Sequence, residues 1–296
     1  MKKAYIILAH KNPEQLKRMI DRLDDGLSSF FVHIDKNAAT SMDIEMFENK
    51  KNIELLPGVK TQWGSFGLVM ATLNAMGEVS KRGSDFERTI LLSGQDYPVK
   101  SNDYINHFLS SSAHSVFMDS FLLPNYDKWP SDGGNYRVNK YFFGYSFFLR
   151  FGAKALNFFS SHIFQLQRKV KNKIQHFYGS QWWIIDGYAL NYILTYVKNN
   201  PGYTAFHKFT FAPDELFFQT ILMNSKDEKL LKTISNDNKR FMKWTDALSA
   251  NPETLTSENF GEIKNSPALF ARKFDSNIDG DVLTMIDENI LEIIIK

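Results

Sequence analysis

No cysteine occurs in the 296 residues, which excludes disulfides and thiolate-bound metals and suits a reducing compartment. No apolar run approaches the roughly 20 residues that a membrane-spanning helix needs. Met1 to Ala4 leads into only five apolar residues before His10 and Lys11, too few for a secretory signal. Neither charge sign dominates. Against 35 Lys and Arg stand 33 Asp and Glu, and a net charge of +2 lacks the concentrated basic excess of a dedicated nucleic-acid binder. The phosphate-binding fingerprints are missing too: no G-x-G-x-x-G follows the first apolar run, and no G-x-x-x-x-G-K-[ST] occurs. Dinucleotide-binding dehydrogenases and P-loop NTPases are disfavoured accordingly. What is plentiful is aromatic: 15% of the chain, with 26 Phe, in an ordinary apolar share of 43%. The expected location is cytoplasmic, and the Lys, Asn, Ile and Phe usage reads as bacterial. The length allows a sizeable core, in one large α/β domain or two small ones.

Residues 4–9 form a short, continuous apolar run that predicts a strand buried on both faces. Asn12-Pro13-Glu14 predicts a helix to about residue 23, with Asn12 as cap and Pro13 at its first position. Further strands are expected at 30–34, 53–56 and 89–92, and a helix at 68–76. Such alternation predicts βαβ units and a mostly parallel sheet. Ligands sit beyond the carboxyl ends of such strands, where His10, Asp35, Trp63 and Asp96 fall. A nucleotide would bind there through its base and ribose at Ala9 and Asp35, with its phosphates neutralised from elsewhere.

The middle of the chain, 111–177, is less regular, with a Pro-, Asp- and Gly-rich stretch at 125–135 and an aromatic, basic one at 136–173. Two readings are open for the latter. One is a peripheral membrane contact, since aromatics mixed with Lys and Arg suit headgroup regions. The other is a helical insertion whose aromatics are core, favoured because the composition does not resolve into one amphipathic face.

Residues 179–185 resume a strand-like run, and its adjacent Trp182 and Trp183 should point to opposite sides, one to core and one to a cleft. Residues 209–212 alternate like a strand, and Pro213 then sits where a helix would start. Asp214 and Glu215 would lie in its first turn. There they either complement the helix dipole or, held ionised, act as a general base. Arg272 and Lys273 are adjacent cations in an apolar turn, costly unless paired with Asp275 or Asp279 or facing a ligand anion; with Arg240 they could hold a diphosphate. Asp275 to Gly280 imitates half of an EF-hand loop, but the closing acidic position is Ile286, so calcium is rejected. Asp279-Gly280-Asp281 imitates a metal-binding D-x-D, too late in the chain; the fourth strand runs instead into Ser93-Gly94-Gln95-Asp96.

In order, Tyr5-Ile-Ile-Leu-Ala-His10, Val32-His-Ile-Asp-Lys36, Trp63-Gly64, Leu92-Ser-Gly-Gln-Asp-Tyr-Pro98, Gly179-Ser-Gln-Trp-Trp183, Ala212-Pro-Asp-Glu215, Arg240 with Trp244, and Phe270-Ala-Arg-Lys-Phe-Asp275 resemble glycosyltransferase family 14. That family holds the core-2/I-branching β-1,6-N-acetylglucosaminyltransferases and the peptide O-xylosyltransferases. The match covers residues 1–110 and 178–282; 111–177 has no counterpart. The resemblance implies one GT-A-like domain with a mostly parallel Rossmann-like central sheet flanked by helices and no D-x-D. Within it, 1–110 would be the nucleotide-binding half, 111–177 a variable insertion and 178–296 the acceptor and catalytic half. It implies an inverting, metal-independent transfer from a UDP-sugar to a glycan acceptor, with no cofactor, in bacterial surface polysaccharide or glycoconjugate synthesis. The expected sugar is β-linked N-acetylglucosamine, with xylose as the alternative because Gln181 stands where xylosyltransferase-like members can carry an acid. By position, Glu215 is implied as base and Arg272, Lys273 and Arg240 as cations at the diphosphate. Ala9 and Asp35 fall near uridine, and Asp96, Gln181 and Trp182 near sugar or acceptor. His10, Trp63 and Gly64 complete the expected binding residues. Animal members carry disulfides and a membrane anchor; this chain has no cysteine and no matching anchor. A carbohydrate-binding protein with a decayed site is the non-enzymatic alternative.

Overall fold

The computed structural model describes residues 1–292 except 39–41, 43, 44, 49, 84, 161–167, 169–173, 247, 248 and 250. Lys3–Ala9 (β1) is buried along its whole length, as its apolar run requires. It pairs in parallel with Ser29–Ile34 (β2) on one side and Arg88–Ser93 (β4) on the other, and Ile53–Leu56 (β3) extends the sheet beyond β2. Tyr97–Pro98 (β5) leaves this sheet. Val116–Met118 (β6), Trp183–Ile185 (β9) and Ile234–Ser235 (β10) complete it in the order β10-β6-β9-β4-β1-β2-β3, with β9 antiparallel to both neighbours. The fold is thus α/β and GT-A-like, with a mostly parallel central sheet. Phe121–Leu122 (β7) and Phe177–Tyr178 (β8) form a two-stranded ribbon; Arg240–Met242 (β11) and Phe270–Arg272 (β12) join β5 in a small second sheet.

Because strand side chains alternate in direction, Tyr5 and Ile7 enter one core and Ala4, Ile6 and Leu8 the other. The first core receives Pro13–Leu23 (α1), Asn102–Ser111 (α3) and Asp281–Asn289 (α11) through residues such as Leu16, Ile105 and Leu283. The second receives Gly67–Lys81 (α2), Gly187–Asn199 (α6) and Phe217–Met223 (α8) through Val69, Ile193 and Phe218. Shorter or peripheral helices are Tyr136–Asn139 (α4), Phe147–Phe158 (α5), Pro201–His207 (α7), Glu228–Lys232 (α9) and Phe260–Asn265 (α10). None of the described helices is long and apolar enough to cross a membrane.

Four local expectations change. Asn12 has a left-handed backbone and caps nothing; its side-chain amide donates to Asp275 Oδ1 at 2.7 Å, a tertiary partner outcompeting the local one. The middle segment is not merely an insertion, since its β6 lies inside the central sheet. Residues 209–212 form no strand, and Pro213–Glu215 is a separate 3-10 turn before α8. Nor are all the aromatics of 136–173 core: Phe147, Phe148 and Phe151 are exposed, while Lys169, Lys171 and Lys173 lie outside the described residues.

Candidate active site

The strand order reverses between β1 and β4, so the connections leaving their carboxyl ends diverge and open a crevice. Gly94 keeps the two ends close, because a Cβ there would lie 3.2 Å from the Ala9 side chain. The crevice has two communicating chambers of about 490 and 300 Å³. Ala9, His10, Lys11, Thr61, Gln95 and Lys273 line the larger, at the switch of strand order. Lys128, Tyr178, Asp214, Glu215 and Trp244 line the smaller. Trp63, Gln181, Trp182, Asn251 and Arg272 belong to both and form the wall between them.

The wall is built by stacking. Arg272, at the end of β12, lies with its guanidinium 4.0 Å from the ring centroid of Trp182, and its Nε reaches Asp96 Oδ1 at 3.5 Å. Trp182 therefore faces the crevice, while Trp183 turns into the core against Phe218. Asp96 is fully buried beneath them, accepting from the Ser93 N–H at 3.0 Å. Burial raises its carboxyl, opposed by Arg272 and then Arg240. Burial also lowers the Arg272 guanidinium against the pull of Asp96. Two buried donors in this wall, Arg272 Nη1 and Gln181 Nε2, have no partner among the described residues. A buried donor left unpaired costs about 1–3 kcal/mol, so both suit acceptor atoms of a ligand. Lys273 projects into the larger chamber, where burial, then Arg272 and Lys11, lower its ammonium.

Glu215 sits on the 3-10 turn Pro213–Glu215, which Gly64 anchors: Ala212 N–H donates to the Gly64 carbonyl at 2.9 Å. Gly64 has φ +70, and an added Cβ would lie 3.0 Å from Tyr145 Oη and 3.1 Å from Phe211, so the position favours glycine. Glu215 precedes α8 by two residues and so lies outside the first turn of that helix. Its counter-charge is Arg137, whose Nη1 donates to Glu215 Oε2 at 2.7 Å. Asp214 points into the same chamber with Oδ1 buried and unpaired among the described residues. Burial, then the neighbouring Glu215 charge, push the Asp214 carboxyl up to about 7.

Of the residues singled out by sequence, Ala9, His10, Trp63, Gln181, Trp182, Glu215, Arg272 and Lys273 line the crevice, and four stand behind it. Gly64 and Asp96 support the lining as described. Asp35 is buried and accepts from the N–H groups of Asn37 and Thr61, each at 2.6 Å, and from the Thr61 hydroxyl. Burial raises its carboxyl, but these donors outweigh that and hold it below the usual range. Arg240 is buried and donates to the carbonyls of Leu91 (2.8 Å) and Asn238 (2.6 Å), with burial bringing its guanidinium down to about 10. Arg137 and Lys128 were not singled out, because both lie in the segment without a motif and only the fold brings them to Glu215.

The family model for the Core-2/I-Branching enzyme matches residues 3–264. The chain belongs to the Core-2/I-Branching enzyme family. Among curated proteins, xylosyltransferase 2 of Rattus norvegicus is 24% identical over 307 residues, covering 96% of this chain and 33% of its own. Xylosyltransferase 2 of Homo sapiens is 24% identical over 308 residues, with the same coverages. The chain spans about a third of the length of these relatives. Among solved structures, a 4-diphosphocytidyl-2C-methyl-D-erythritol synthase from Anaerococcus prevotii aligns over 68% of this chain and 75% of its own at 8% identity. Its TM-score of 0.34 is too low to carry weight.

Proposed function

We propose that this Core-2/I-Branching family member transfers a sugar from a UDP-sugar to a glycan hydroxyl with inversion at the anomeric carbon. The observation that carries the reading is the shared wall: Arg272 and Gln181, each with a buried donor that has no partner among the described residues, stand between a chamber holding Lys273 and one holding Glu215. In this reading the nucleotide occupies the larger chamber, its uracil and ribose near Ala9 and the loops supported by Asp35. The diphosphate lies by Arg272 and Lys273, whose charges stabilise the departing UDP in a site partly screened from water. Glu215, across the wall, takes the proton of the acceptor hydroxyl as that oxygen attacks the anomeric carbon and the bond to UDP breaks. Arg137 holds the carboxylate toward the smaller chamber, and burial keeps Asp214 beside it protonated well above the usual carboxylate range.

Two cations at the diphosphate are the ground for reading the transfer as independent of a divalent metal. For the donor, UDP-N-acetylglucosamine is the first reading, in bacterial surface glycan synthesis at the cytoplasmic side. UDP-xylose is the second, favoured by the xylosyltransferase relatives. UDP release measured with each donor, with simple glycan acceptors and with or without EDTA, tests all of this. Turnover with one donor that survives EDTA is expected; turnover lost to EDTA would withdraw the role given to Arg272 and Lys273. Glu215→Gln should lower kcat by roughly 10²–10⁴-fold, the usual share of a general base, while leaving UDP affinity near wild type. A variant that turns over at the wild-type rate would remove Glu215 from the role of base.

A further inference from the structure

The helix α5 has its sides reversed relative to a core helix. Ala153 is its buried residue, and Asn157 ties the same side to the protein by accepting the Tyr141 N–H at 2.7 Å and donating to the Tyr141 carbonyl at 2.9 Å. On the opposite side Phe147, Phe148 and Phe151 are 77%, 84% and 68% exposed. Spacings of three and four residues put Phe147, Phe148 and Phe151 on one continuous outward face. Exposed aromatics grouped in this way mark an interaction surface. Arg150 and Lys154, both exposed, flank this face.

Charge decides what the face meets. Between Asp132 and Asp186 lie eight Lys and Arg and no Asp or Glu, in a chain whose net charge is only +2, so the remainder is net acidic. Phenyl rings flanked by cations match the headgroup boundary of an anionic bilayer, where rings enter the acyl edge and cations meet lipid phosphates. A second copy of the chain would instead bring Arg150 and Lys154 against their own like charges. We infer that α5 docks the protein on an anionic membrane surface, inserting Phe147, Phe148 and Phe151 with Arg150 and Lys154 at the headgroups. The dock adjoins the crevice: Tyr145, just before the Ser146 cap of α5, stacks on Trp63 with ring centroids 6.1 Å apart. Docking therefore sets the mouth of the crevice beside the lipid surface.

Flotation of the full chain with phosphatidylcholine vesicles, with and without phosphatidylglycerol, tests this and needs no transferase activity, so its failure is separable from that of the proposed reaction. The wild type should float with the anionic vesicles, less so as salt shortens the screening length. Phe148→Asp with Phe151→Asp should lose at least about tenfold in vesicle partitioning. Arg150→Gln with Lys154→Gln should weaken the preference for the anionic lipid by about fivefold for each charge removed. Melting temperature and UDP release with a soluble acceptor should stay at wild type in both variants. Wild type that stays in the pellet fraction with anionic vesicles, or a Phe148→Asp, Phe151→Asp variant that floats as well as wild type, overturns the inference. So does a vesicle-free dimer that this variant dissociates, without lipid binding, since the face would then join two copies.

Discussion

At the scale of single residues, the site depends on where charge is held rather than on how much is present. Glu215 is positioned by one cation, Arg137, itself nearly buried and packed over Trp129 at 5.1 Å and Phe211 at 5.9 Å. Arg137→Met keeps much of that packing and removes the ion pair. The expected result is a kcat lowered by roughly ten- to a hundredfold, as a carboxylate that loses its orientation loses effective concentration, with the KM for the donor little changed. Steady-state kinetics on both substrates separates the two parameters. An equal rise in donor KM would place Arg137 at the nucleotide instead. Trp182 shows the same dependence on a neighbour. Its indole lines the crevice, and Arg272 already covers one face of the ring. The guanidinium on that face carries Nη1, a buried donor without a partner among the described residues.

At the scale of elements, α7 and the ribbon strand β8 enclose two histidines that pair with no acid among the described residues. His207 is fully buried among Tyr203, Phe206 and Phe217, with both ring nitrogens unpaired among the described residues. Burial pushes it well down, and burial with the nearby Arg168 charge pushes His176 down to about 4. The sign follows from linkage. The unfolded chain binds protons at these sites below about pH 6.5, while the folded protein does not. Their contribution is full above about pH 6.5 and is lost as pH falls toward 4. Urea midpoints at pH 7 and pH 5 should show this loss, and His207→Phe should shrink it while leaving the pH 7 midpoint unchanged or higher. An identical drop in wild type and variant would assign the acid sensitivity to other groups. The helix α5 makes the complementary point. Its aromatics suggested core by composition, and only the direction of Ala153 and Asn157 shows that the rings face outward.

At the scale of the whole molecule, the two ends of the chain close on each other through buried acids. Asp287 on α11 is fully buried and accepts from Arg18 (2.8 Å), Arg22 (2.8 Å) and Tyr97 Oη (2.8 Å). Asp275 accepts from Lys11 at 2.6 Å, which uses the imitation EF-hand loop as a clasp rather than a calcium site. Asp287→Ala leaves two guanidinium groups and a phenol without their partner, and should cost about 3 kcal/mol, the low end for breaking a buried pair because Arg18 and Arg22 keep some solvent. Equilibrium denaturation reads that cost directly. A change below about 0.5 kcal/mol, the size of an ordinary surface substitution, would mean the clasp is redundant.

The amino-acid sequence by itself determined the strands β1 to β4, their parallel order of βαβ units and the crevice at their carboxyl ends. Continuous apolar runs and a proline at a helix start carry that information locally. It also marked Glu215, Arg272 and Lys273, because rare charge placements in apolar surroundings are visible without coordinates. Only the tertiary structure decided that Arg137 faces Glu215 and that Glu215 lies outside the first turn of α8, since a 3-10 turn cut the expected helix short. It alone sent Asp35 and Arg240 behind the crevice, where buried hydrogen bonds to distant backbone groups claimed them. And it alone turned Trp182 to the crevice and the rings of α5 to solvent, because the side an element presents is set by what packs against it.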